Sequence, residues 1–248
     1  MTTSAQGGEL LSSAFPMASS RLRHRVEYTK NKHSRAVYKG DTIIIRLAKN
    51  LSQTEEQEHI QSLLRRMTHL ILQEREKTSI DPFRHLLDGG QSQTVTLATG
   101  RKLHISLFPG TRTRAQRTLR GWTIEVSPHI RRRSLHRFLW SLVAAKEKNR
   151  IEELVYTLNR QYFRVPVKGV RLAFATTQWG SCSPKGIIML NTALLFLPPS
   201  LLKYVIVHEL AHRIHANHSP SYWREVARAL PQFKRAYRLL QDYRLPQA

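Results

Sequence analysis

Hydrophobic and polar residues alternate in a way that predicts short strands mixed with longer helices. Residues 34–48 contain two β-rich runs, SRAVYK and TIIIRLA, on either side of Gly40-Asp41, which predicts a β-hairpin. Ser52 and Glu55 then have the spacing of a capping box, ahead of apolar residues at helical intervals, which predicts a helix over 54–77. Residues 1–22 have many small side chains and no apolar periodicity, so they are predicted to be a disordered tail.

The middle of the chain carries further strand patterns and one long helical pattern. The segment DPFRHLLDGGQSQ is predicted to be a linker with turns. The elements predicted after it are, in order, a hairpin of TVTLAT and KLHISLF around Gly100, a strand at WTIEVS, a helix from Ser134 to Tyr162, and a hairpin of RLAFATTQW and IIMLN around SCSPKG.

Three helices are predicted near the end of the chain. The first follows Pro198-Pro199, covers SLLKYVIVHELAHRIHA and stops near Asn217. Ser219-Pro220 has the N-cap and first-turn residues of a second helix, and QFKRAYRLLQDY forms a third. Together the elements predict an α+β fold, with a hairpin-rich N-terminal part containing one helix (23–133) and a separate domain (134–248).

His208, Glu209 and His212 form the sequence H-E-x-x-H within the first of these helices. Positions i and i+4 of a helix lie on one face, so both imidazoles can reach one metal ion. Glu209 lies beside the first histidine, where its carboxylate can accept a proton from a water molecule that the metal polarises. The pattern predicts one Zn²⁺ per chain, with Glu209 as a general base.

A catalytic zinc site needs a third protein ligand, and two histidines compete for that role. His215 lies seven residues after His208 on the predicted helix, which is roughly 10 Å along its axis and too far for one tetrahedral ion. His218 lies beyond the predicted helix end, where the chain can turn back towards the ion. We therefore predict His208, His212 and His218 as the ligands.

The chain resembles the YgjP-type zinc metallopeptidase family over about residues 25 to 245 and, more loosely, the SprT-like and WLM zincins, with the strong motifs at 178–234. The motifs that carry the resemblance are W-G-S-C at 179–182, I-x-L-N at 188–191, Pro198-Pro199, H-E-L-A-H-x5-H, N-H-S-x-x-Y-W and L-P-Q-F-K at 230–234. The resemblance implies a zincin-like catalytic domain with an active-site helix and a small antiparallel sheet. It also implies a zinc peptidase that acts on a polypeptide.

By the same resemblance, the hairpin around Trp179–Asn191 supplies a strand edge that pairs with extended substrate. Trp179 either lines the cleft or packs in the core, and Asn191 fixes the end of its strand by hydrogen bonds to backbone. Tyr222 is a candidate for contacting substrate. Tyr222 and His215 are both candidates for stabilising the oxyanion of the reaction.

The chain is strongly basic, with 40 Lys and Arg against 17 Asp and Glu and a formal net charge of +23. Such a charge favours contact with polyanions or reflects a bias of the host proteome. Residues 101–137 contain ten of these cations and one acid, Glu125. The arginines predicted to contact nucleic acid without sequence preference are Arg112, Arg114, Arg117, Arg120, Arg131, Arg132 and Arg133.

The composition also limits where the protein acts. No apolar run approaches the roughly 20 residues that span a bilayer, so no membrane partner is expected. Cys182 is the single cysteine, which excludes an intramolecular disulfide and favours the cytoplasm.

Two other functions compete with a peptidase. Three-histidine endoribonucleases share the H-x3-H-x5-H spacing, but they have glycine after the first histidine, where this chain has Glu209. A non-catalytic zinc protein that binds nucleic acid is the other alternative, and Glu209 argues against it.

Overall fold

The computed structural model describes residues 22–119 and 121–247, which divide into two compact units between Arg75 and Glu76. The predicted tail, residues 1–22, lies outside the described residues except for Leu22. The division at residue 75 differs from the domain boundary predicted at 133, because the strands between 92 and 126 share a core with the following helix. In that core, Val95, Ile105 and Ile124 cluster with Trp140.

The first unit contains a three-stranded sheet and a long helix. Its strands are β1 (Arg23–Tyr28), β2 (Arg35–Lys39) and β3 (Thr42–Leu47), in the order β1-β3-β2, and its helix α1 is Gln53–Glu76. The hairpin of β2 and β3 is confirmed. The capping box is also confirmed, since Glu55 N donates to Ser52 Oγ at 3.3 Å and Ser52 N donates to Glu55 Oε2 at 2.7 Å. Strand β1 was not predicted, because half of its residues are exposed polar side chains at the sheet edge.

The second unit opens with a four-stranded sheet and a long helix. Its first elements are β4 (Thr78–Ser79), α2 (Arg84–Leu87), β5 (Ser92–Thr96), β6 (Lys102–Pro109), β7 (Arg114–Arg117), β8 (Gly121–Val126) and α3 (Arg132–Leu158). The order of the larger sheet is β5-β6-β8-β7. The hairpin of β5 and β6 and the strand at β8 are confirmed.

The segment DPFRHLLDGGQSQ is not a linker, so that prediction is wrong. It forms α2 and the start of β5, and it contributes Phe83 and Leu86 to the core. The Phe83 ring meets Trp140 edge-on, with 5.1 Å between ring centroids. The apolar side chains that anchor this segment are Phe83, Leu86 and the partly buried Leu87, which are too few to produce a periodic signal in the sequence.

A second, mixed sheet lies next to the helix that carries the H-E-x-x-H residues. Its strands are β9 (Gly169–Ala173), β10 (Gly180–Cys182) and β11 (Ile187–Asn191), in the order β10-β11-β9. The hairpin predicted between RLAFATTQW and IIMLN is wrong, because β9 runs parallel to β11. The antiparallel partner of β11 is β10, which lies inside the W-G-S-C motif. Strand β10 is therefore an edge strand, as the resemblance implied for this hairpin.

The remaining elements complete the second unit. Besides a π-helical turn (Asn159–Phe163) and a 3-10 helix (Thr192–Phe196), they are the helices α4 (Pro199–Ala211), α5 (Pro220–Ala229) and α6 (Phe233–Gln241) and the strand β12 (Tyr243–Arg244), which pairs with β4. Ser219 caps α5 as predicted, accepting a hydrogen bond from Tyr222 N at 3.3 Å. No helix in the described part of the chain is both long and apolar enough to cross a membrane.

Candidate metal centre

Helix α4 places the first two histidines, both half-buried, at its C-terminal end in the second unit. The helix is apolar on nearly all sides, with Ile206, Val207 and Leu210 fully buried. His208 and Glu209 lie in its last turn, and His212 is its C-cap residue. A polar side chain on such a helix needs a partner, because leaving it unpaired in an apolar environment costs free energy.

The helix ends six residues earlier than the predicted stop at Asn217. Arg213 N and Ile214 N donate to carbonyls three residues before them, which is the tighter pattern of a closing turn. The Arg213 guanidinium donates to the carbonyls of Pro166, Ser183 and Pro184. These bonds tie the end of α4 to the turn between β10 and β11. The helical pattern of the sequence runs on because no residue in AHRIHA disfavours a helix.

The early end of α4 gives His215 a role that the sequence did not reveal. The His215 carbonyl lies 3.2 Å from His212 Nδ1 and accepts a hydrogen bond from it. That bond orients the imidazole and leaves Nε2 of His212 for another ligand. His215 thus orients His212 through its backbone carbonyl and not through its side chain.

His218 lies in the loop between α4 and α5, where two aromatic rings hold it. Trp223 stacks on its imidazole at 5.7 Å between centroids with an angle of 28°. Phe233 stacks on the other side of Trp223 at 5.4 Å. Tyr222 meets the His218 ring edge-on at 4.8 Å. These contacts give an exposed loop residue a defined position.

The three imidazoles converge as the ligands of one ion would. One nitrogen from each histidine can be chosen so that all three lie within 4.8 Å of one another. The Nε2 atoms of His208 and His218 are 3.1 Å apart. Two atoms that are each about 2.0–2.1 Å from a tetrahedral ion lie about 3.3 Å apart, so this spacing fits a shared metal ion. The positions of the three histidines therefore fit a Zn²⁺ ion.

The protonation states also fit metal binding. Burial, with smaller contributions from His212 and His218, lowers the pKa of His208 to about 3. Burial likewise lowers the pKa of His212. Both imidazoles are thus neutral near pH 7, which is the form that coordinates a metal.

Glu209 is buried beside the histidines and lies against the edge strand β10. A Cβ placed on Gly180 would come within 2.6 Å of Glu209 Oε1 and 2.9 Å of a Val205 methyl group. Glycine at 180 therefore lets the β10 backbone approach the carboxylate. Burial raises the pKa of Glu209 to about 8 in the metal-free protein, and a dication nearby would favour the ionised form.

Tyr222 is close to the histidines but has no exposed surface. Its hydroxyl donates to the His208 carbonyl at 3.0 Å, and its ring lies 4.7 Å from that of His212. These contacts favour a positioning role over the substrate contact predicted from the sequence.

The other residues of the hairpin serve its packing and its shape. Trp179 is half-buried and packs against the main core. Asn191 is fully buried, and its side chain donates to the carbonyls of Ala175 and Gln178 and accepts from Ala193 N. The predicted structural role of Asn191 is confirmed.

The arginines predicted to contact nucleic acid are spread over several elements. Arg114 and Arg117 lie on β7, and Arg131, Arg132 and Arg133 surround the start of α3. Arg114 pairs with Glu125 at 2.5 Å and Arg132 pairs with Asp88 at 2.8 Å, so part of the charge is compensated. Arg112 is an exposed loop residue, and Arg120 lies outside the described residues.

Three residues that shape the site escaped the sequence analysis. Gly180 and Trp223 stand within motifs of the family resemblance, but those motifs alone did not indicate a close backbone approach or a stacked ligand. Arg213 lies directly after the second histidine, and its contacts are with residues distant in sequence.

Comparison with known proteins identifies the family. A family model described as the YgjP-like metallopeptidase domain matches residues 31–243, which is most of the chain. The chain belongs to the YgjP-like metallopeptidase family. The YgjP-like domain thus spans both compact units, and at family level the protein is a metallopeptidase. A metal site is implied for the family, and the histidine cluster is the candidate for it.

Part of the chain is also similar to one solved structure. The crystal structure of the metallopeptidase zymogen of Pyrococcus abyssi abylysin shares 30% sequence identity. The alignment covers 39% of this chain and 99% of that chain, with a TM-score of 0.35. A search of curated proteins found no match.

Proposed function

We propose that this YgjP-like protein hydrolyses peptide bonds at one zinc ion held by His208, His212 and His218, with Glu209 as general base. The observation that carries the proposal is the convergence of three imidazoles next to a buried carboxylate. A set of three histidines is typical of catalytic zinc, because it leaves one coordination position open. Zinc bound there would polarise the attacking water and the scissile carbonyl group.

The Glu209 carboxylate takes the proton of the attacking water as the carbon–oxygen bond forms, and it returns a proton to the leaving amine as the carbon–nitrogen bond breaks. No ion pair in the described part of the chain involves Glu209. A buried carboxylate without such a partner costs free energy, and the proposed chemistry accounts for its presence. The Tyr222 hydroxyl donates to the backbone carbonyl of His208, and the His215 carbonyl orients the imidazole of His212 by accepting from its Nδ1.

Strand β10 is the proposed binding edge for an extended polypeptide substrate. It pairs only with β11 among the described strands, which leaves its other edge for backbone hydrogen bonds to a peptide. Because Gly180 is on this strand and touches Glu209, a peptide that pairs there lies beside the general base. Because recognition is through backbone groups, we expect the enzyme to cleave peptides of many different sequences.

Metal removal and reloading test the proposal directly. We expect the chelated protein to lose cleavage of an unfolded protein and to regain it in proportion to added zinc, up to one equivalent. Magnesium, which prefers oxygen ligands, is the control and should not restore cleavage. Full activity in a protein whose metal content has been measured as zero would contradict the proposal.

Gly180→Ala is expected to slow hydrolysis about 10–100-fold, since misplacing a catalytic group by about 1 Å can cost 10²-fold. The new methyl group would press on Glu209 Oε1 and Glu209 Cγ, while the histidines stay in place. The measurements are kcat/KM on an unfolded protein and the zinc content of the variant.

Gly169→Ala is the matched control for this prediction. Gly169 lies in the same sheet, and a Cβ placed there has no atom within 4 Å. Equal rates for the two alanine variants would show that the approach of β10 to Glu209 has no catalytic importance.

A further inference from the structure

A groove separate from the histidine cluster lies between α3 and the outer edge of β9. Its volume is about 910 Å³. One wall is a single face of α3, formed by Arg137, Ser141, Ala144, Ala145 and Lys148, and the other is the strand and the residues that follow it to Thr177. The three small residues in the middle of the helix face leave the space open.

The strand wall of the groove has a free edge. Strand β9 pairs with β11 on one side, and no other strand in the described part of the chain pairs with it. The backbone groups on the outer side of such a strand can pair with an added extended peptide. An isolated small molecule would leave most of these groups without partners.

The groove is basic at both ends. Arg137 and Lys148 mark the two ends of the helix wall, and Arg171 projects from β9. All three are exposed, no ion pair in the described part of the chain involves them, and no acidic residue lines the groove. Positions 137 and 148 are eleven residues apart, or roughly 16 Å on a helix. That length matches about five residues of extended chain.

The aromatic residue of the groove favours a peptide over nucleic acid. Single-stranded nucleic acid is typically bound by aromatic rings that stack on its bases. The Phe174 ring instead packs on His136 at 5.3 Å and on Trp140 at 5.5 Å, within the core. The floor of small side chains offers no other stacking surface.

We propose that this groove binds an extended acidic polypeptide segment, which adds as a strand to the outer edge of β9 with its carboxylates near Arg137, Lys148 and Arg171. The segment belongs to a protein substrate, so this assignment rests on the proposed peptidase function. This surface is distinct from the proposed substrate edge on β10, because β9 and β10 lie on opposite edges of the same sheet. It can therefore hold a protein away from the histidines while another part of that protein is cleaved.

The test uses the full chain with Glu209→Gln, so that the probe is not consumed and the result does not depend on hydrolysis. The probe is a fluorescein-labelled octapeptide of alternating glutamate and valine, and its binding is followed by anisotropy. We expect saturable binding that the Arg137→Glu, Lys148→Glu double variant weakens at least about tenfold, because two attractions become repulsions. Ala145→Phe should weaken it similarly by filling the groove, since Ala145 is exposed and can be enlarged without disturbing the core.

Lys146→Glu is the matched control, since Lys146 is on the same helix but does not line the groove. If Lys146→Glu leaves binding of the peptide unchanged and the Arg137→Glu, Lys148→Glu variant loses it, the peptide binds in the groove and not at β10. A probe with N-methylated central amides keeps its charge but loses backbone donors, and it should bind at least about tenfold more weakly. The proposal would be overturned if the methylated peptide bound as tightly as the unmodified one. It would also be overturned if a single-stranded oligonucleotide of the same charge displaced the labelled peptide as well as the unlabelled peptide does.

Discussion

Glu209→Gln is expected to reduce peptide hydrolysis by at least about 10²–10⁴-fold, the usual contribution of general acid–base catalysis. The amide has the shape of the carboxylate but cannot accept the proton of the attacking water. The three histidines are unchanged, so the variant should keep one zinc per chain. Because Glu209 is 4% exposed and makes no ion pair in the described part of the chain, its neutral replacement should not lower the melting temperature.

The control for this substitution is Glu58→Gln, the same chemical change at an exposed position of α1. It should leave proteolysis, zinc content and melting temperature unchanged. The glutamine variant at 209 also separates the competing functions. A three-histidine ribonuclease would retain RNA cleavage, since that enzyme class has glycine at this position, and a non-catalytic zinc protein would cleave nothing in either form.

His218→Ala is expected to weaken zinc binding by more than about 100-fold. Loss of a residue that merely supports a ligand costs about 10–100-fold, and His218 is itself a proposed ligand. Its Nε2 lies 3.1 Å from that of His208, and Trp223 holds the ring in place. The measurement is the zinc dissociation constant by competition with a chromogenic chelator.

His215→Ala is the matched control in the same loop. Its carbonyl, which orients His212, is unchanged by the substitution, so zinc affinity should change little. If the alanine at 215 released the metal and the alanine at 218 kept it, the ligand assignment would be wrong.

The features predicted correctly from the sequence are those that depend on residues close together in the chain. The capping box at Ser52 and Glu55 and the N-cap at Ser219 depend on residues within one turn of a helix, and both formed as predicted. The spacing of His208 and His212 likewise determined that they share a helix face. These features follow from short-range geometry, which a single sequence contains in full.

The features that the sequence did not predict depend on contacts between distant segments. Helix α4 ends at Ala211, where Arg213 bonds to carbonyls near residues 166 and 183. Strand β11 pairs antiparallel with β10 on one edge and parallel with β9 on the other, and a strand pattern does not state which neighbour a strand pairs with. Glycine is needed at 180 because a Cβ there would lie too close to Glu209, a residue distant in sequence.

The proposed function depends most directly on what the zinc-loaded wild-type protein cleaves. The measurement is a parallel assay of an unfolded protein and a structured RNA, each with and without a chelator. We expect the unfolded protein to be cut in a zinc-dependent reaction and the RNA to remain intact. Zinc-dependent cleavage of the RNA with an intact protein substrate would contradict the assignment of this site to peptide hydrolysis.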